Sequence, residues 1–145
     1  MYLDAQLLLS DAQAVTADAG STNVIDLIAS APKLGDGEPL AVVMTVDVAA
    51  DGTTTDETYT FVIQSDDNSS FSSAATVSTR TIAYASLTQY STHIFVIPPG
   101  IALERYLRLY YDVGGTTPSI TVTAAVMPLN MVQKYTNYAD GITIS

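Results

Sequence analysis

The sequence predicts an all-β fold: a jelly-roll-like β-sandwich of about eight strands with an extended C-terminal tail. Three observations carry this expectation. Apolar residues recur with period two through most of the 145 residues, as they do when one face of each strand is buried. The alternating segments are short and separated by clusters of Gly, Pro, Asp, Asn and Ser, the residues of turns. Threonine is frequent and lysine scarce, and a β-branched side chain fits a pleated surface while losing rotamer freedom in a helix.

Taken in order, Leu3, Ala5, Leu7 and Leu9 share one face of the first strand. Val42, Met44, Val46 and Val48 share a face of a later one, followed by Tyr59, Phe61 and Ile63. Between positions 74 and 84 the apolar parity switches from Val77 to Ile82 and Tyr84, which predicts a bulge or a strand crossing between sheets. The segment 92–97 is apolar on both faces, as in a central strand covered from both sides or an edge covered by a neighbour. It stops at Pro98, Pro99 and Gly100, where a ladder cannot continue. Leu107, Leu109 and Tyr111, then Ile120, Val122, Ala124 and Val126, supply the last two buried faces. Turn chemistry marks 34–39, 50–53, 65–69 and 113–118, with Gly114 and Gly115 in a hairpin-like turn. Helix is confined to two short candidates, 26–30 and 83–90. The division expected is one domain over 1–145, with a core of 1–127 and a C-terminal arm of 128–145.

Fifteen acids against five bases give a net charge of −10. Binding a nucleic-acid backbone needs clustered Lys and Arg, and docking on anionic lipid needs the same, so neither is expected as a partner. Cysteine is absent, which removes disulfides and thiolate metal sites. No basic segment with a long apolar run opens the chain, and Asp4 and Gln6 interrupt its apolar start. No apolar run reaches the length of a membrane span. The chain is expected to be made and used without crossing a membrane.

The single histidine, His93, lies in mid-strand on the face of Phe95 and Ile97. A partly buried, hydrogen-bonded residue is expected there, and not a base beside a nucleophile; no Gly-x-Ser-x-Gly elbow accompanies it. Asp51, Asp56 and Glu57, and separately Asp66, Asp67 and Asn68, offer oxygens to a calcium ion, but the Asp-x-Asp-x-Asp-Gly loop is missing. They are read as solvated turn acids. The same acids make a poor glycosidase: glutamate is scarce and tryptophan absent. No phosphate-binding glycine loop occurs, and the sequon at Asn68 has no secretory context. No catalytic residue, metal or cofactor is therefore expected.

The aromatics are nine tyrosines and three phenylalanines. Tyr106, Arg108 and Tyr110 project from the face opposite Leu107, Leu109 and Tyr111, and Tyr and Arg are the residues enriched at interface centres. The expected contact residues are these three and the two termini: Tyr2, Asp4 and Gln6 at one end, Tyr135, Tyr138, Ile142 and Ile144 at the other. Ile142 and Ile144 are candidates to extend a foreign sheet edge.

The opening Leu3-Asp-Ala-Gln-Leu-Leu-Leu-Ser-Asp-Ala-Gln-Ala-Val-Thr16 with Asn23-Val-Ile-Asp-Leu27 resembles the start of the capsid cement proteins of short-tailed bacteriophages, of the Bordetella-phage type. The stretches Tyr59-Thr-Phe-Val-Ile-Gln-Ser-Asp-Asp-Asn-Ser-Ser-Phe71 and Arg105-Tyr-Leu-Arg-Leu-Tyr-Tyr111 are similar to segments of that family and of other small phage capsid proteins. The resemblance implies a jelly-roll subunit made in the bacterial host cytoplasm. It implies association with itself, as a dimer or alternatively a trimer, and attachment to the major capsid protein on the outer surface of the virion. It implies no catalytic residues. The alternative is a β-sandwich ligand-binding module, carbohydrate- or receptor-binding, on a phage tail or fibre.

Overall fold

The computed structural model describes residues 7–27, 39–97 and 103–128. Nine strands fill this span: β1 (Leu8–Val15), β2 (Ala19–Gly20), β3 (Ile25–Asp26), β4 (Leu40–Val48), β5 (Thr58–Asp66), β6 (Ala75–Thr81), β7 (Thr92–Ile97), β8 (Tyr106–Gly114) and β9 (Ile120–Pro128). They form two antiparallel sheets. The first has the order β1-β9-β4-β7; the second has the order β2-β8-β5-β6, with β3 also paired to β8. Because β2 and β3 each span two residues and share the partner β8, they act as one interrupted strand, which gives the expected eight.

The pairings are nested: β1 with β9, β2 and β3 with β8, β4 with β7, β5 with β6. A ribbon of nested antiparallel pairs rolled so that β9 meets β4 and β8 meets β5 is a jelly roll. One consequence corrects the sequence reading of the 113–118 turn. It joins β8 to β9, which lie in different sheets, so it is an arch across the sandwich and not a hairpin. The connection from β4 to β5 is an arch too, whereas β5 and β6 form a true hairpin within one sheet.

The core lies between the sheets. Leu9, Val42, Met44, Val46, Val122 and Ala124 come from the first sheet; Tyr59, Phe61, Ile63, Leu107, Leu109 and Tyr111 come from the second; all are buried. Phe61 joins the layers, its ring centroid 5.8 Å from Phe95 and 6.0 Å, edge-on, from Tyr111, an arrangement that suits ring quadrupoles. The Tyr111 hydroxyl, which burial pushes up to about 12, shares a 2.7 Å hydrogen bond with Ser10 Oγ across the sandwich.

Two expectations change here, and the choice left open for 92–97 between a central strand and an edge is decided. Val48 is 55% exposed, because the β4–β9 register shifts between Val46 and Val48 and a one-residue slip turns the side chain outward. The strand 92–97 is an edge, with Phe95 and Ile97 inward and Val96 exposed. The helix candidate at 83–90 is a single 3-10 turn, Tyr84–Ser86; Asp26 of the other candidate lies in β3, and 28–30 fall outside the described residues. The parity switch near Val77 is a bulge: Ile63 pairs with Ser78 and Gln64 with Thr76, leaving Val77 as the extra residue. The arm 128–145 falls outside the described residues from position 129.

Candidate functional site

Alternation along β8 puts Leu107, Leu109 and Tyr111 in the core and leaves Tyr106, Arg108 and Tyr110 on the outer face of the second sheet, each half-buried. The structure therefore brings the three predicted contact residues of β8 onto one face. The other predicted residues, Tyr2, Asp4, Gln6, Tyr135, Tyr138, Ile142 and Ile144, lie outside the described residues.

This face is held rigidly. Arg108 pairs in register with Gln64 of β5 and its Nε donates 2.8 Å to Gln64 Oε1. Its guanidinium lies 4.2 Å from the Phe71 ring centroid and 5.1 Å from that of Tyr110, so the cation lies against two aromatic rings. Partial burial lowers its pKa from the ordinary arginine value. Phe71 reaches this position through a left-handed backbone (φ 54°) at the end of the β5–β6 turn, closed by its N–H donating to Asn68 O at 3.0 Å. Arg105, 5.0 Å from the Tyr106 ring centroid, donates from Nε and Nη2 to the two carboxylate oxygens of Asp26 at 3.1 and 3.0 Å.

Asp66 closes the adjoining hairpin. It is fully buried and accepts from the N–H groups of Asn68 (3.1 Å) and Ser73 (2.8 Å) and from Ser73 Oγ (3.3 Å). Burial raises its pKa, and the Ser73 N–H, with Asp67 and Asn68, brings it below the ordinary aspartate value. The expectation of a solvated turn acid fails at Asp66, because a carboxylate that completes a turn must point into it. Its carboxylate, with those of exposed Asp67 and Glu104, gathers ligand oxygens within 4.8 Å, but both oxygens of Asp66 are taken by the turn.

The second acid group laces the two arches together. Asp51 accepts from Thr53 N–H and Oγ1 (3.2 and 2.5 Å) and from Thr117 Oγ1 (3.0 Å). Asp56 accepts from Thr54 Oγ1 (2.6 Å) and from Thr116 N–H and Oγ1 (3.2 and 2.7 Å). Glu57 Oε1 accepts from Thr54 N–H and Oγ1 (3.3 and 2.5 Å) and faces Thr117 Oγ1 at 3.4 Å. These hydroxyls hold all three carboxyls below their ordinary pKa: Thr53 chiefly for Asp51, Thr54 for Asp56 and Glu57. Glu57 is 5% exposed, so the solvated reading fails there too.

His93 is half-buried, as its strand position predicted, with Nε2 3.0 Å from Ser91 Oγ. Burial lowers its pKa, with Arg80 adding to the effect. Arg80 donates from Nη1 to Ile94 O at 3.2 Å and lies 5.5 Å from the Phe95 ring centroid, tying β6 to β7 across the open side of the sandwich.

Sequence reasoning missed the exposed apolar residues Tyr90 and Val96. Tyr90 is 74% exposed with a left-handed backbone (φ 67°), a conformation that costs a bulky residue free energy. It is fixed by its N–H donating 2.7 Å to Val46 O. The alternation rule says nothing about a turn residue, so no periodic signal marked it. Outward Val96 pairs with Ala41, which pairs with Met127, and Ile94 with Val43, which pairs with Ala125; this makes the outer face of the first sheet apolar in two cross-strand rows.

No curated protein matches the chain. The Bbp16 family matches it over residues 9–126, a span that begins in β1 and ends in β9 and so covers the whole sandwich. The chain belongs to the Bbp16 family, whose name indicates a protein of a Bordetella phage.

Proposed function

We propose that this chain is a structural virion protein that binds the outer surface of a tailed-phage capsid and cements neighbouring major capsid protein subunits. It works as a homo-oligomer, a dimer or alternatively a trimer, and not as an enzyme. The observation that carries this reading is the outer face of the second sheet, where Arg108 packs against Phe71 and Tyr110 and is bonded to Gln64. A long side chain ordinarily loses rotamer freedom on binding. Arg108 has surrendered that freedom in advance, and Arg with Tyr forms the kind of anchor that dominates interface energetics. Membership of a phage family supplies the setting.

The mechanism is thermodynamic. A clamp bound to two capsid subunits makes their separation cost the binding free energy of the clamp as well, and many linked sites on a closed shell multiply modest contacts into avidity. The shell then resists the pressure of packaged DNA. A net charge of −10 keeps the protein off DNA and lets particles repel one another.

Purified shells lacking this protein provide the test. Tyr110→Ala and Arg108→Ala are expected to weaken binding to such shells by about 1–2 kcal/mol each, roughly five- to thirtyfold, with circular dichroism unchanged. Full-strength binding by both variants overturns this assignment of the contact face.

A further inference from the structure

We propose that the guanidinium of Arg108 is a carboxylate receptor: resting on the cement reading above, it takes an acidic side chain of the shell protein on its two terminal nitrogens. Arginine carries its N–H donors in a fixed fork, and the donor on Nε of Arg108 is spent on Gln64 Oε1 at 2.8 Å. Nη1 and Nη2 donate to no described residue, and no described carboxylate forms an ion pair with this cation. The other arginines among the described residues differ. Arg105 holds both oxygens of Asp26 in its fork at 3.1 and 3.0 Å, and Arg80 donates from Nη1 to Ile94 O. Asp66, whose charge reaches Arg108, gives its two oxygens to the N–H groups of Asn68 and Ser73. A half-buried cation therefore stands on the outer face without a counter-ion among the described residues.

The surroundings of the fork fix it and set what it can take. The guanidinium lies against Phe71 and Tyr110, 4.2 and 5.1 Å from their ring centroids. It also lies over Gly20 of β2, where an added Cβ would stand 2.8 Å from Nη1 and 3.3 Å from Cδ and Cζ. A side chain at position 20 would need that space, and glycine leaves it to the arginine. Contacts to β2 and β5 thus hold the cation before any partner arrives, so little rotamer entropy remains to lose on binding. A planar fork with two terminal nitrogens matches a carboxylate bidentately. A phosphate of DNA or of a lipid headgroup fits less well, because such polyanions are held by clustered cations, and Arg105, just before the same strand, is already paired with Asp26. On a chain of net charge −10 an approaching acid is repelled over most of the surface, so Arg108 fixes where it docks and contributes register more than bulk affinity.

The test measures binding of the full chain to purified shells lacking this protein, at rising salt. Arg108→Gln is expected to weaken binding about tenfold at low salt, and that loss should shrink as screening weakens the charge attraction. The loss in Tyr110→Ala should not change with salt. Arg108→Lys keeps the charge without the fork and should bind about threefold more weakly than the wild type, or worse. On shells carrying Arg108→Lys, a carbodiimide should join the side-chain amine at position 108 to an Asp or Glu of the shell protein, read by mass spectrometry of the linked peptides. If Arg108→Gln does not fold, Arg108→Lys decides alone. Wild-type binding by Arg108→Gln beside weakened binding by Tyr110→Ala keeps the contact face and overturns the receptor. Wild-type binding by both overturns the face and the receptor together. A loss in Arg108→Gln that salt leaves unchanged marks lost packing alone and overturns the receptor, as does bound Arg108→Lys that yields no link from position 108.

Discussion

At the scale of single residues, the burial of polar atoms decides what holds this molecule together. Tyr111 lies on the core face with Leu107 and Leu109, where alternation placed it, but its hydroxyl needs a partner in the apolar interior. It finds Ser10, 101 positions away in the chain. Tyr111→Phe leaves Ser10 Oγ with its 2.6 Å bond to Gln13 and removes the link between sheets; it should cost about 1–2 kcal/mol, read from urea unfolding at constant m-value. Spacing revealed that Tyr111 is buried and that Tyr106, Arg108 and Tyr110 face out. It could not reveal Phe71 on Arg108, or Glu57 between two aspartates, because those contacts depend on turns whose residues obey no period. A solvated turn acid and a buried one look identical in sequence.

Among elements, the arches carry the constraints. Gly115 has φ +102°, and an added Cβ would come within 2.6 Å of Asp56 O and Glu57 Cα. Gly115→Ala combines a backbone conformation that L residues disfavour with a clash against the facing arch. A loss of about 2 kcal/mol or more is expected from denaturant unfolding; a change below about 0.5 kcal/mol would mean that the two arches are not locked against each other. The turn chemistry at 113–118 was legible, yet its role was not. A Gly-Gly turn between alternating strands reads as a hairpin, and only the nested pairing shows that it spans two sheets. The β6 bulge was legible because a parity switch has few causes, whereas the outward turn of Val48 follows from a register shift that no residue of β4 announces. The two-residue strands β2 and β3 are set by backbone pairing to β8, which leaves no side-chain pattern to read.

At the scale of the whole molecule, the fold class was written in the sequence: short segments, most of them alternating, with turns between them give two layers around one apolar interior. Charge also acts at this scale. Asp51, Asp56, Glu57 and Asp66 all have folded-state pKa values below their ordinary ones, so the folded state binds fewer protons than the unfolded chain as pH falls. Their stabilisation is fully present above the ordinary carboxylate range and is lost as pH drops through it and below. His93, also lowered, adds a loss of the same sign that begins below about pH 6.5. Stability should therefore be level near neutrality, decline slightly below about pH 6.5 and fall steeply below about pH 4.5; His93→Gln should remove the first decline alone in pH-dependent thermal unfolding.

Copy number per particle separates a cement protein from a ligand-binding module. A cement protein occupies the shell by symmetry, whereas a ligand-binding module serves a tail or fibre in small number. Quantitative protein composition of purified virions, counting this chain against the major capsid protein, separates the two most directly. A ratio of one to one, or a simple fraction set by capsid symmetry, is the predicted result. A handful of copies per particle, or none, contradicts it.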